Sequence, residues 1–205
     1  MTTRWLKERD EVLAAARKML ERGLVSGTAG NVSRRLKPEG GRSLLAITPS
    51  SREYDSLSPE DIQILDFNSG KVEGDLPPSV ETPLHIAIYK ARKDVNAIIH
   101  THSVYATAGA VAGLTIPVIL DEQAAYLGGE IKTAAYAPSG TAELGECAVA
   151  GLGERNAVLL ANHGAVGVGK TIAEALRNAE LLEKAAQVYL IALSTGSVNE
   201  LPPAP

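Results

Sequence analysis

The chain reads as one α/β domain built on a mixed sheet, and three features of its sequence predict this. Apolar residues recur at helical spacing near both ends. Between them, short apolar runs alternate with turn signals, as strands do. Helical and strand-like stretches then intermingle without a strict βαβ rhythm, which favours a mixed sheet over a purely parallel one. The length agrees, since 205 residues suit one domain with a sizeable core.

The elements follow in order. Residues 5–22 place Leu6, Leu13, Ala16 and Leu20 at helical spacing, and Gly23 is a candidate cap. A glycine-rich loop, Ser26-Gly27-Thr28-Ala29-Gly30-Asn31, leads into strand-like runs at 32–36 and 43–48, with a turn-rich joint over 37–41. Ser58-Pro59 reads as a helix start. Ile62, Ile64 and Phe67 precede Asn68-Ser69-Gly70, a second hairpin candidate. A helix is expected over 81–91 with Pro83 in its first turn, then a buried strand over 96–101 and an alanine-rich helix over 103–112. Further strand-like pieces fall at 116–120, 130–133 and 157–161, with a helix at 141–152. Thr171 and Glu174 match a capping box that opens the last helix, whose apolar stripe runs from Ile172 to Leu193 and stops at Gly196. Residues 197–205 read as a short flexible tail.

Composition narrows the function classes. Hydrophobic residues make up 45% and charged residues 21%, the balance of a globular soluble protein. Aromatics are only 4%, so Ala, Leu, Ile and Val must build the core. The net charge of −4 is spread over both signs with no basic stripe for nucleic acid. The single cysteine, Cys147, excludes an intrachain disulfide and fits a reducing, cytoplasmic setting. Residues 1–10 are charged and lack the apolar stretch of a signal peptide, and no run of about 18 apolar residues could span a membrane.

Candidate chemistry centres on histidine. Only four occur, and two form His100-Thr101-His102 at the end of a predicted strand. Residues i and i+2 of a strand share a face, so two imidazoles can meet one ion. His163, between Asn162 and Gly164 at the end of another strand-like run, can supply a third ligand. Gly164 would let the backbone turn sharply there. Three histidines and one open position are an arrangement expected of a catalytic zinc site. Two surface histidines and one core histidine would give the same sequence, so spacing alone leaves metal binding open. His85 lies four residues after Glu81 and reads better as a hydrogen-bonded or packed histidine than as a ligand. Glu81 opens a helix, where the macrodipole alone favours it. Near a metal, burial would raise its pKa and the cation would lower it, leaving a carboxylate able to move a proton.

The loop Gly27-Thr28-Ala29-Gly30-Asn31 lacks the lysine of a P-loop and does not match the dinucleotide fingerprint. With Thr48-Pro49-Ser50-Ser51 it offers amides and hydroxyls that can cradle a phosphate. Two ordinary turns explain the same residues.

Five segments in order carry a resemblance: Gly27-Thr28-Ala29-Gly30-Asn31-Val32-Ser33, Ile47-Thr48-Pro49-Ser50, Pro78-Ser79-Val80-Glu81-Thr82-Pro83-Leu84-His85, His100-Thr101-His102-Ser103 and Asn162-His163-Gly164. Together they resemble the class II aldolase/adducin-head family, in its L-fuculose-phosphate aldolase-like branch, over nearly the whole chain. The resemblance implies a three-layer α/β/α domain with a mostly antiparallel sheet, in a homotetramer with active sites between subunits. It implies Zn2+, with Mn2+ or Co2+ as alternatives, on His100, His102 and His163, and Glu81 as catalytic acid/base. It places the substrate phosphate near Thr28, Gly30, Asn31, Ser50, Ser51 and Ser79. The implied reaction is C3–C4 cleavage of a small ketose phosphate through a metal-stabilised enediolate.

The chain also departs from that branch. Val80 stands where a second serine precedes the glutamate, and Ser51 stands where a glycine follows the hydroxyl residue. Leu120-Asp121-Glu122-Gln123 has no tyrosine where a neighbouring subunit would bring one, and the branch's long closing C-terminal tail has no counterpart. Glu122 is the candidate to replace the tyrosine in a neighbour's site, and capping of the following helix is its plainer explanation. The same family includes a sugar-phosphate dehydratase, a decarboxylase and a 4-epimerase. It also includes the non-catalytic adducin-head interaction domain, against which three intact histidines and Glu81 argue.

Overall fold

The computed structural model describes residues 4–202. Its elements are α1 (Leu6–Glu21), β1 (Asn31–Glu39), β2 (Arg42–Ile47), β3 (Gln63–Asp66), β4 (Lys71–Glu73), α2 (Thr82–Ala91), β5 (Ala97–Thr101), α3 (Val104–Val111), β6 (Thr133–Ala134), α4 (Ala142–Leu152), β7 (Ala157–Leu160), β8 (Gly164–Gly169) and α5 (Ile172–Ser194). The strands form one eight-stranded sheet in the order β4-β3-β2-β1-β5-β8-β7-β6. Every ladder is antiparallel except that between β6 and β7. The sheet is therefore mixed and mostly antiparallel.

Helices cover both faces. Alternate strand residues Val32, Ala97 and Ile99 pack with α1 and α5, while Ile98, Val166 and Val168 pack with α2 and α4. A third cluster joins α3 to α5 through Ala106, Ala110, Leu182 and Ala186. The layers are thus α1/α3/α5, sheet and α2/α4. The core is aliphatic, as the composition requires, with Tyr54 and Tyr89 buried in it. Each fully buried Leu or Ile contributes about 1.5–3 kcal/mol.

Three expectations are corrected. The sequence signal at 116–120 yields no strand, only the single bridge Ile116–Ile131. The run at 130–133 contributes only its last residue to β6 (Thr133–Ala134). β8 (Gly164–Gly169), GAVGVG, went unanticipated because glycine is a poor strand former. Its glycines answer to packing. A Cβ on Gly167 would meet Ala179 N at 2.7 Å, and one on Gly169 would meet Ala175 N at 2.5 Å. Helix α5 lies so close on the strand that only hydrogen fits.

The tail has no regular structure through residue 202, and Leu201 N–H donates to Val118 C=O at 2.8 Å. Residues 203–205 of the expected flexible tail, and residues 1–3 of the charged N-terminus, lie outside the described residues. Among the described residues, no helix is long and apolar enough to cross a membrane.

Candidate metal centre

The antiparallel register builds the site. Asn31 of β1 pairs with His100 of β5, which places both side chains on the face that carries α2. His102 follows the end of β5, where α3 begins. Glu183 of α5 holds that start, accepting from Tyr105 N at 2.9 Å and Ala106 N at 2.7 Å. His163 sits in the three-residue turn between β7 and β8. The turn's left-handed residue is Asn162, with φ 56°. Gly164 is needed for another reason than the turn: a Cβ there would collide with Thr101 C=O and meet His102 Cδ2 at 2.9 Å. Gly30 is similarly confined, with φ 71° and a Cβ position 2.6 Å from His100 C=O.

Glu81 precedes α2 as its N-cap residue and is 4% exposed. One oxygen, Oε2, accepts from Asn31 Nδ2 at 2.9 Å and lies 2.9 Å from His100 Nε2. The other, Oε1, accepts from Ser139 Oγ at 2.8 Å and lies 3.2 Å from His163 Nε2. His100 Nε2 and His102 Nε2 are 2.9 Å apart. The candidate ligand atoms of Glu81, His100, His102 and His163 all fall within 4.8 Å of one another.

The electrostatics of this cluster match a cation site. His100 Nδ1–H donates to Ala165 C=O at 3.0 Å, which directs the Nε2 lone pair into the cluster. Burial pushes the His102 imidazole down to about 4, with His100 and His163 adding to the effect, and burial also lowers His163. Both rings are therefore neutral near pH 7, as ligation demands. Burial opposes the charge of Glu81; positive charge at His100 and His163, which a bound cation would supply once the rings are neutral, and the Asn31 amide hold it well below the usual carboxylate range. Lone pairs and a carboxylate thus converge with few protons between them. Ligands at 2.0–2.1 Å from a tetrahedral ion lie roughly 3.3 Å apart, close to the spacings seen. The donor set fits a divalent metal.

A cavity of about 170 Å3 opens on the cluster. Thr28, Gly30, Asn31, Ser50, Ser51 and Ser79 all line it, together with Glu81, His102 and His163. Backbone ties bring these loops together: Ser50 N–H donates to Pro77 C=O at 2.9 Å and Ser79 N–H to Thr48 C=O at 3.1 Å. Tyr54 O–H donates to Gly30 C=O at 2.6 Å and anchors the glycine-rich loop. Ser51 has φ 55°, a left-handed conformation that explains the glycine of the resembling branch and costs about 1–2 kcal/mol for an L residue.

Two site features differ from expectation. Ser139, which donates to Glu81, was not anticipated; a turn serine bears no spacing relation to the other motifs. Glu122 lies away from the cavity, 40% exposed, and its carboxylate pairs with Lys184 at 2.5 Å. It makes no side-chain cap bond to the π-turn Gln123–Leu127, so the expected capping role is absent. His85 is wholly buried and hydrogen-bonded behind the site, as anticipated.

A three-layer α/β/α fold, with one glutamate and three histidines gathered beside a hydroxyl-lined cavity, defines a metal-dependent enzyme of the class II aldolase type. Comparison with known proteins agrees: residues 10–190 match the family model described as Class II Aldolase and Adducin N-terminal domain, and the chain belongs to that family. It is 39% identical over 196 residues to 5-deoxy-D-ribulose 1-phosphate aldolase of Bacillus thuringiensis serovar kurstaki, covering 96% of this chain and 90% of that one. It is 38% identical to L-fuculose phosphate aldolase of Escherichia coli K12, covering 90% and 83%. A solved L-fuculose 1-phosphate aldolase superposes with a TM-score of 0.90 at 34% identity, over 96% of this chain and 91% of that one. The chain is a class II aldolase, a carbon–carbon lyase whose centre suits a divalent ion.

Proposed function

We propose that the chain cleaves a small ketose 1-phosphate between C3 and C4, releasing a triose phosphate and an aldehyde. One observation carries the reading: Glu81 and three imidazoles converge at the floor of a cavity walled by hydroxyls and amides. His100, His102 and His163 are the ligands, and Zn2+ suits their nitrogen-rich set, with Mn2+ or Co2+ as alternatives. When bound, the ion supplies Lewis-acid polarisation of the substrate's carbonyl and hydroxyl oxygens. Thr28, Asn31, Ser50, Ser51 and Ser79, with the Gly30 backbone, hold the phosphate through hydroxyl, carboxamide and N–H donors. Glu81, ionised at rest, takes up the proton that the C4 hydroxyl loses as the C3–C4 bond breaks and C4 becomes the aldehyde, and returns it to C3. Ser139 and Asn31 each occupy one oxygen of that carboxylate and fix its plane.

The proposal includes a cytoplasmic homotetramer. Glu122 makes no contact with the cavity of its own chain, so a catalytic role for it runs through a neighbouring copy. The relatives named as 5-deoxy-D-ribulose 1-phosphate and L-fuculose phosphate aldolases are nearly equally similar to the chain, so both substrates belong in the test. Zinc-loaded protein is incubated with each ketose 1-phosphate and the products are identified by NMR. A triose phosphate plus an aldehyde is the expected outcome. Epimerised or dehydrated sugar phosphate without C–C cleavage would overturn the reading.

A further inference from the structure

Behind Glu81 runs a line of buried hydrogen bonds of which the reaction above uses only the first. Asn31 Nδ2 donates to Glu81 Oε2 at 2.9 Å, and Asn31 Oδ1 faces His85 Nε2 at 2.5 Å. His85 Nδ1 lies 2.6 Å from Ser33 Oγ, which lies 2.8 Å from Tyr89 Oη. His85, Ser33 and Tyr89 are each 0% exposed, so water cannot replace a missing partner.

The direction of every bond follows from the first. An ionised carboxylate only accepts, so the Asn31 amide must turn its NH2 towards Glu81 and its oxygen towards His85. That oxygen also only accepts, so His85 Nε2 must carry the hydrogen. Burial keeps His85 neutral, so its Nδ1 bears a lone pair and must accept from Ser33. The Ser33 oxygen then accepts from the Tyr89 hydroxyl. The donors run one way, Tyr89 to Ser33 to His85 to Asn31 to Glu81, and no member can reverse alone without setting two acceptors or two donors face to face.

We propose that His85, backed by Ser33 and Tyr89, is a positioning residue that locks the Asn31 amide on Oε2 and thereby fixes the orientation in which Glu81 meets the substrate. The role rests on reading Glu81 as the acid/base, but its structural half is testable without turnover.

The first test is long-range 1H–15N correlation NMR of zinc-loaded protein carrying 15N-labelled histidine; four histidines make the spectrum tractable. The His85 signals, assigned by their loss in His85→Gln, are expected to show the neutral Nε2–H tautomer. An Nδ1–H tautomer or an imidazolium overturns the one-way line, whatever the substrate proves to be. The second test compares turnover on whichever ketose 1-phosphate is cleaved. In His85→Gln a side-chain amide N–H can still reach Asn31, so kcat should stay within about threefold, whereas His85→Leu orphans the Asn31 oxygen and should lower kcat about thirtyfold. Zinc stoichiometry should be unchanged in both, and KM unchanged in His85→Gln. Equal kcat for the two variants, or loss of zinc in His85→Leu, would make His85 a packing residue only.

Discussion

Two polar concavities among the described residues have opposite character. The histidine cavity measures about 170 Å3, whereas a cleft between α1 and α5 measures about 690 Å3. The cleft is walled by six basic side chains, Lys18, Arg22, Arg34, Arg35, Lys170 and Arg177, against the acids Glu11 and Glu180. Its cations are dispersed in use: Arg34 pairs with Glu11, Arg22 with Glu180, Arg35 bonds backbone carbonyls, and Arg177 covers the Tyr126 ring. In the smaller cavity buried Glu81 and His100 and half-buried His102 and His163 are aimed at one point. Desolvation and convergence, not volume, mark the place where chemistry can occur, because a buried group interacts strongly and an exposed one is screened.

The largest expected effect tests that convergence. His100→Ala, His102→Ala and His163→Ala should each remove most bound metal and lower turnover at least about a hundredfold, some 2.7 kcal/mol in barrier, while circular dichroism still shows the fold. Metal analysis after gel filtration reads the first effect. His163, on a turn and partly exposed, is the cleanest of the three to remove. If its alanine variant kept stoichiometric metal, the ligand assignment would fail.

Next comes Glu122, which lies in neither concavity of its own chain. If its carboxyl serves a neighbouring copy's cavity as proposed, Glu122→Gln should keep the oligomer and the metal but lower turnover about tenfold, roughly 1.4 kcal/mol. Light scattering on the wild type should show the tetramer this requires. A monomer with full activity, or near-normal turnover of Glu122→Gln, would leave Glu122 as the surface partner of Lys184 alone.

A pH measurement sharpens the contrast between buried and exposed groups. Burial lowers His85 to about 3, against about 6.5 in an unfolded chain. Between these values the unfolded state holds a proton that the folded state does not, so stability rises with pH there and is lost as pH falls from about 6.5 towards 3. The slope from this one group approaches about 1.4 kcal/mol per pH unit. Urea unfolding of metal-free protein at pH 4, 5 and 6 should show the slope in the wild type and a shallower one in His85→Gln. Equal slopes would mean that His85 titrates normally.

How far the sequence revealed this arrangement depends on which physics each part obeys. His100-Thr101-His102 was legible because strand alternation is local: two residues apart means one face. Glu81 and His85 were legible as neighbours on a helix start for the same kind of reason. The resemblance carried by the five ordered motifs singled out Thr28, Gly30, Asn31, Ser50, Ser51 and Ser79, and all six line the cavity. What stayed hidden depends on distant partners. The glycines of β8 (Gly164–Gly169) look like a loop until α5 is packed against them. Ser139 meets Glu81 across 58 positions of sequence, through a turn whose placement only the fold sets. Gly164 looked like a turn residue, but Asn162 takes the left-handed conformation and Gly164 yields space to the histidines.

The smallest expected effect lies in the larger cleft. Arg22, at the C-terminal cap of α1, pairs with Glu180 of α5, with side chains 47% and 31% exposed. The pair joins two helices, so a structural reading of the cleft gives it more weight than an ordinary surface contact. Exposure argues the other way: water solvates both charges already, salt screens them, and holding two long side chains together costs entropy. Arg22→Ala should therefore cost no more than about 1 kcal/mol in urea unfolding, less in roughly 0.5 M salt than in about 0.05 M, and leave turnover within about twofold. The cleft also lies off the cavity's lining, so no substrate contact is lost with the arginine. A fall in turnover of about tenfold or more in this variant, with metal still bound, would show that the cleft takes part in function. Volume and charge would then have pointed to a site that convergence alone does not reveal.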